Sequence, residues 1–174
     1  MATETHGGVT FQGNPLTTIG DKPAVGEKAP DFMVSGSDLQ PVSLADSAGK
    51  IRLISVVPSL DTGICDLQTR RMNEEAANLG DDVVVLTISA EHPFNQKRWC
   101  GAAEVDQVEV LSDHMSMSFG AAYGLHIKEL RLNQRAMLVI DKDDMLRYAE
   151  YIPEIAQFPD YDGVLAAVKE VAGA

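Results

Sequence analysis

The sequence predicts an α/β protein with a central mixed sheet flanked by helices and an N-terminal β-hairpin, and three observations predict it. Ile51 to Val57 and Asp82 to Ser89 are almost continuously apolar and β-branched, as strands covered on both faces in the middle of a sheet must be. Between them, Ile64, Leu67, Met72, Ala76 and Leu79 recur at roughly helical spacing up to Gly80, a natural stop. Beyond them, strand-like and helix-like stretches keep alternating and finish in a hairpin and a helix, the order of a sheet with helices on both faces.

The elements follow in order. Residues 1 to 8 are small and polar and read as a loose tail. Val9 to Gln12 and Leu16 to Ile19 flank Gly13-Asn14-Pro15, which predicts a short hairpin. Asp21 to Pro30 is a loop; Asp31 to Ser35 and Val42 to Leu44 are short strands joined by a turn at Asp38 to Pro41. Ile51 to Val57 then leads through Pro58 to a helix that Asp61 or Thr62 can cap. After the strand Asp82 to Ser89, a short helix runs from His92-Pro93 to Cys100-Gly101, with proline at its start and glycine at its end. Val108 to Leu111 is a third strand, Met115 to Tyr123 a helix ended by Gly124, and Ala136 to Asp141 a fourth strand led by Arg135. Lys142 to Asp144 turns it into Met145 to Tyr151, and Tyr161 to Val171 closes the chain with an amphipathic helix.

With 174 residues, 45% of them hydrophobic, the chain suits one globular domain spanning 1–174. Its formal charge of −12, from 26 acidic against 14 basic residues, opposes binding to nucleic acid or to an anionic membrane. The apolar runs are strand-length, well short of the roughly 20 residues of a membrane helix. Met1 to Gly8 carries no basic segment followed by an apolar one, so no secretory signal is expected and a cytoplasmic location is the default. In that compartment, two cysteines more often form a transient catalytic or sensing disulfide than a permanent staple.

The chemistry concentrates at Pro58-Ser59-Leu60-Asp61-Thr62-Gly63-Ile64-Cys65, where a strand stops and a helix begins with a cysteine in its first turn. Backbone N–H groups there lack intrahelical partners and favour a negative charge among them, and a thiolate is such a charge. Cys65 is therefore a candidate nucleophile, and Cys100 is its only possible disulfide partner within the chain. Taken alone, Cys65 could be a small buried hydrophobe, Cys100 a core-edge residue beside Trp99, Arg135 a surface arginine and Thr62 merely a cap. Asp61 is better read as a cap than as a base, since a carboxylate beside Cys65 would oppose the thiolate. His6, His92, His114 and His126 are scattered without ligand-like pairing, so no metal site is expected, and no glycine fingerprint marks a nucleotide cofactor.

The order strand, Pro-x-x-x-Thr-x-x-Cys, helix, with a later arginine at a strand start, resembles the peroxiredoxins, thiol peroxidases of thioredoxin-like fold. The motif at 58–65, together with Phe11-Gln12-Gly13-Asn14-Pro15, Trp99-Cys100-Gly101, Ala122-Tyr123-Gly124 and Asp160-Tyr161, is similar to the bacterial thiol peroxidase subfamily (Tpx) of atypical two-cysteine peroxiredoxins. Asn133-Gln134 departs from it, since the subfamily more often has small or apolar residues there. The resemblance implies that Cys65 is the peroxidatic cysteine, oxidised by hydrogen peroxide or an organic hydroperoxide to a sulfenic acid. It implies that Thr62 holds thiolate and substrate oxygen, that Arg135 favours the thiolate and the developing charge, and that Pro58 shields the pocket. Cys100 would be the resolving cysteine, closing an intramolecular disulfide that thioredoxin reduces, in a homodimer. Physical chemistry agrees: O–O attack needs a thiolate and charge-stabilising donors, no metal is required, and a second thiol rescues the sulfenic acid from irreversible oxidation. Both cysteines fall on segments expected to be helical, so both segments would partly unwind to bring their Cα atoms within the roughly 7 Å of a disulfide. Two rivals are a redox sensor using the same disulfide and a protein dithiol oxidoreductase, the latter weakened by the absence of Cys-x-x-Cys.

Overall fold

The computed structural model describes residues 1–173. In chain order the elements are β1 (Glu4–Phe11), β2 (Asn14–Ile19), β3 (Met33–Ser35), β4 (Pro41–Ser43), β5 (Ile51–Val56), α1 (Gly63–Ala76), β6 (Val83–Ser89), α2 (Pro93–Ala103), β7 (Glu109–Ser112), α3 (Ser118–Ala122), β8 (His126–Ile127), β9 (Leu132–Asn133), β10 (Ala136–Ile140), β11 (Leu146–Tyr151) and α4 (Tyr161–Ala172). The main sheet has the order β11-β10-β5-β6-β7-β3-β4, with β5, β6 and β7 parallel and its other neighbours antiparallel. It is the mixed sheet that the apolar runs predict, and β5 and β10 are buried along their whole length.

Side-chain alternation along those strands divides the core into two layers. Ile54, Val56, Leu86, Ile88, Leu138 and Ile140 face Phe32 and, from α3 and its end, Phe119 and Tyr123. Leu53, Val85, Met137 and Val139 face Met72 of α1, Trp99 of α2 and Val164, Leu165 and Val168 of α4. Helices therefore lie on both faces, three on one and the short α3 on the other. Arg52 sits in the fully buried β5 because its guanidinium donates to the carbonyls of Lys50 and Asp141, both at 2.7 Å, and pairs with Asp144.

Several boundaries differ from those expected. Residues 4 to 8 are not a tail: Glu4, Thr5 and His6 pair with Ile19, Thr18 and Thr17 as the first part of β1. Small polar residues carry no period-2 signal, and what fixes them is backbone pairing to β2, interrupted by a bulge between His6 and Val9 where Gly7 has φ +78°. The hairpin turns on Gln12-Gly13, one step before the expected Gly13-Asn14-Pro15, with both residues at positive φ as a two-residue primed turn demands. The first helix ends at Ala76 rather than near Gly80. The second passes through Gly101 and ends because Glu104 itself turns left-handed, at φ 56°. The helix expected over 115–123 shortens to Ser118–Ala122, since Met117 before it is also left-handed. The pair β8–β9 joins β1 and β2 in a separate four-stranded sheet that the sequence did not announce.

Candidate active site

The site is assembled where β5 ends. In the antiparallel pairing of β10 with β5, Ala136 lies opposite Val56, so Arg135 stands level with Val57, at the point where the chain leaves the sheet. Val57, Pro58 and Leu60 are buried, and Val57 and Leu60 pack with Cys65 and Trp99 in one small cluster. Thr62 occupies the N-cap position of α1 with extended backbone, so Cys65 falls in the helix's first turn, among N–H groups without intrahelical acceptors. Neither Thr62 nor Asp61 caps through its side chain. The Thr62 hydroxyl donates to the Ser59 carbonyl at 3.0 Å, and Asp61 and Thr62 are both exposed.

Cys65 is fully buried, and its sulfur accepts a hydrogen bond from Arg135 Nη2 at 3.3 Å. Arg135, 1% exposed, is held at every nitrogen: Nη1 donates to Gln68 Oε1 at 2.8 Å, and Nε and Nη2 donate to the Ile155 carbonyl at 3.2 and 2.9 Å. Among the described residues, none of the ion pairs includes Arg135. A buried cation without a carboxylate is costly unless another anion faces it, and the Cys65 sulfur is the group placed to be that anion.

Two supports of this arginine escaped the sequence. Gln68, fully buried one turn after Cys65, fixes its amide by donating from Nε2 to Ser55 Oγ at 2.8 Å, which turns Oε1 towards Arg135. The signal was there, since positions three apart share a helix face, but a glutamine in a polar helix does not announce itself. The Ile155 carbonyl is backbone and has no side-chain signature. Its segment is clamped by β1: Thr10 N donates to Pro153 O at 2.7 Å, Ile155 N donates to Thr10 O at 2.9 Å, and Glu154 accepts from the amides of Gln12 and Gly13 at 3.0 and 3.2 Å. The hairpin thus reaches the Cys65 sulfur through Ile155 and Arg135. Asn133 and Gln134, the departure from the subfamily pattern, are buried and anchor the start of β10, Asn133 donating to Asp113 Oδ2 at 3.0 Å and Gln134 to Ile152 O at 2.8 Å.

Cys100 lies elsewhere, on the third turn of α2, half-buried; neither it nor the fully buried Cys65 is in a disulfide. Burial pushes its thiol above the ordinary value, and the nearby charge of Glu91 adds to this. Glu91 is itself pushed up by burial and accepts from Leu60 N at 2.7 Å, tying the loop before Cys65 to the start of α2. Among the histidines, the fold brings the rings of His92 and His114 to 4.8 Å, a pairing hidden in the sequence. No group of three or more metal-ligating side chains gathers among the described residues.

Comparison with known proteins places this geometry. Residues 24–165 match the Redoxin family. The chain is 56% identical over 161 residues to a thiol peroxidase of Halalkalibacterium halodurans and 54% identical over 161 residues to one of Bacillus subtilis, in each case covering 92% of this chain and 96% of the relative. Among solved structures, the peroxiredoxin-like protein from Aquifex aeolicus superposes with a TM-score of 0.87 at 36% identity, over 94% of this chain and 96% of that one. The thiol peroxidase from Chromobacterium violaceum, at 21% identity, shares the fold with a TM-score of 0.83 over 95% and 97% of the two chains. A cysteine in a helix's first turn facing a buried arginine, on a thioredoxin-like sheet and with relatives of this similarity, means that the chain belongs to the Redoxin family and, within it, to the bacterial thiol peroxidases, thiol-dependent enzymes of the peroxiredoxin type.

Proposed function

We propose that Cys65 is the peroxidatic cysteine and Cys100 the resolving one, and that thioredoxin returns the enzyme to its dithiol state. The observation that carries the reading is the 3.3 Å contact between Arg135 Nη2 and Cys65 Sγ, made by a buried guanidinium with no carboxylate partner among the described residues. The Cys65 thiolate attacks the terminal oxygen of hydrogen peroxide or an organic hydroperoxide. A sulfur–oxygen bond forms as the O–O bond breaks, sulfur keeps the hydroxyl as a sulfenic acid, and the departing oxyanion takes a proton from water. Arg135 and the free amides of the first turn stabilise the charge that develops. The Thr62 hydroxyl already donates to Ser59, so its lone pairs are left to accept the substrate's O–H, and Pro58 keeps water off the sulfur.

In the second step the Cys100 thiol attacks the sulfenic sulfur. The S–S bond forms, the S–O bond breaks and the thiol proton leaves with hydroxide as water, after which a dithiol donor supplies the two electrons that reopen the bridge. Complete burial of Cys65 works against the dithiol-oxidoreductase alternative, because a protein disulfide cannot reach that sulfur. We infer a cytoplasmic homodimer, supported by the exposed Phe94 and Met115 beside the His92–His114 pair; no described helix is long and apolar enough to cross a membrane.

The test is peroxide turnover with a thioredoxin system. Cys65→Ser should abolish it, while Cys100→Ser should consume one equivalent of peroxide and then stall. Continued turnover of Cys100→Ser at the parent rate would remove Cys100 from the cycle.

A further inference from the structure

The turn of α2 that carries Cys100 rests Trp99, Cys100 and Ala103 against the core and is fastened to α1 at the surface by side chains centred on Arg70. Its Nε donates to Asp66 Oδ2 at 3.0 Å, its Nη1 donates to the Ala103 carbonyl at 3.2 Å, and its guanidinium carbon stands 5.8 Å from the centre of the Trp99 ring. Just past α2, Asn73 Oδ1 accepts from the amides of Asp106 and Gln107 at 3.1 and 2.7 Å. The helix so held is weak in itself. It contains Asn95, Trp99, Cys100 and Gly101, all poor helix formers, it buries only Pro93 and Gln96, and it ends on a left-handed Glu104. Trp99 lies against the Val57, Leu60 and Cys65 cluster as well as the main core, so lifting it off uncovers the neighbourhood of Cys65 in the same motion.

We propose that Arg70 is a positioning residue for the second half of the reaction: its grip on Trp99 and Ala103 keeps the Cys100 segment helical while peroxide reacts, and its release sets the rate of disulfide formation. The inference rests on the resolving role of Cys100 proposed above. The gated step balances within the protein: Cys65–SOH and Cys100–SH give the disulfide and water, with no outside oxidant or reductant. Arg70 touches neither sulfur among the described contacts, and its side chain is 46% exposed, so its removal leaves the core and the Arg135 contact in place.

The test mixes reduced protein rapidly with one equivalent of hydrogen peroxide and follows sulfenic acid and disulfide separately by acid quench and intact mass. Arg70→Ala should form sulfenic acid within about twofold of the parent rate but close the disulfide about three- to tenfold faster, the range expected from losing one cation–π contact and one exposed charged contact. Arg70→Lys, which keeps a charge over Trp99 without the fork, should fall between. Under excess peroxide Arg70→Ala should also accumulate less sulfinic acid. Unchanged or slower disulfide closure in Arg70→Ala, or equal changes in both steps, would overturn the proposal. Absence of a disulfide in the parent protein would overturn the role of Cys100, and this inference with it.

Discussion

The two cysteines of this enzyme sit in opposite kinds of surroundings. Cys65 opens a 14-residue helix that buries Cys65, Gln68, Thr69 and Met72 against the sheet and carries two ion pairs along its exposed side, Arg70–Asp66 and Arg71–Glu75. Its sulfur faces an arginine whose every nitrogen is held. Cys100 sits in an 11-residue helix that leaves Phe94 63% exposed and the Gln96 Oε1 buried without a partner. The difference follows the chemistry. Attack on peroxide gains from donors fixed in place before the substrate arrives, so its residues are over-determined. Under the proposed roles, disulfide closure would move backbone, and its residues come from the weakly held end of the structure.

The sharpest way to break the comparison is to loosen the rigid side. Arg135→Ala should lower the rate of sulfenic acid formation by about 10²- to 10³-fold, the usual cost of removing one preorganised donor, here with its charge. Gln68→Ala keeps the guanidinium and removes only one of its anchors, so a loss of about tenfold is expected in the same step, with disulfide closure unaffected. Stopped-flow Trp99 fluorescence with intact-mass analysis reads both, and a Gln68→Ala enzyme that slows only disulfide closure would invert the assignment.

Raising the pH sharpens the other side. Burial first, and the charge of Glu91 second, hold the Cys100 thiol above its ordinary value of 9.0. The released segment therefore ionises at lower pH than the docked one, and the docked helix loses stability as pH rises through and above 9.0, with no such loss well below it. Disulfide closure should accelerate with pH, by up to about tenfold per unit between neutrality and that range, because the thiolate fraction of the released thiol rises by that factor below its pKa. Glu91→Gln keeps an acceptor for Leu60 N but removes the charge, and should shift this profile towards lower pH. A closure rate independent of pH would show that thiol ionisation does not enter the step.

Much of this was legible in the chain. The β-branched runs of β5, β6 and β10 need no partner to identify them, and the motif from Pro58 to Cys65 places a candidate nucleophile at a strand-to-helix junction. Arg135, taken alone, reads as a surface arginine at a strand end; the resemblance to the peroxiredoxins singles it out, and the antiparallel register then carries it to Val57. What stayed hidden depends on pairing or backbone. The strands β8 and β9 are two residues each and exist only through their hydrogen bonds to each other and to β2. The first residues of β1 look like any polar tail until Ile19, Thr18 and Thr17 lie opposite. The Ile155 carbonyl that grips Arg135 has no residue type to betray it, and Arg70 differs in sequence from any helix-surface arginine only through a tryptophan 29 positions away.

Hydrogen exchange on the reduced protein tests the contrast between the two helices most directly. Amides 97–103 of α2 should exchange at least about tenfold faster than amides 67–72 of α1, and Arg70→Ala should widen that gap without touching α1. Equal protection of the two helices, or a slower α2, would contradict the division of the molecule into a fixed peroxidatic half and a releasable resolving half.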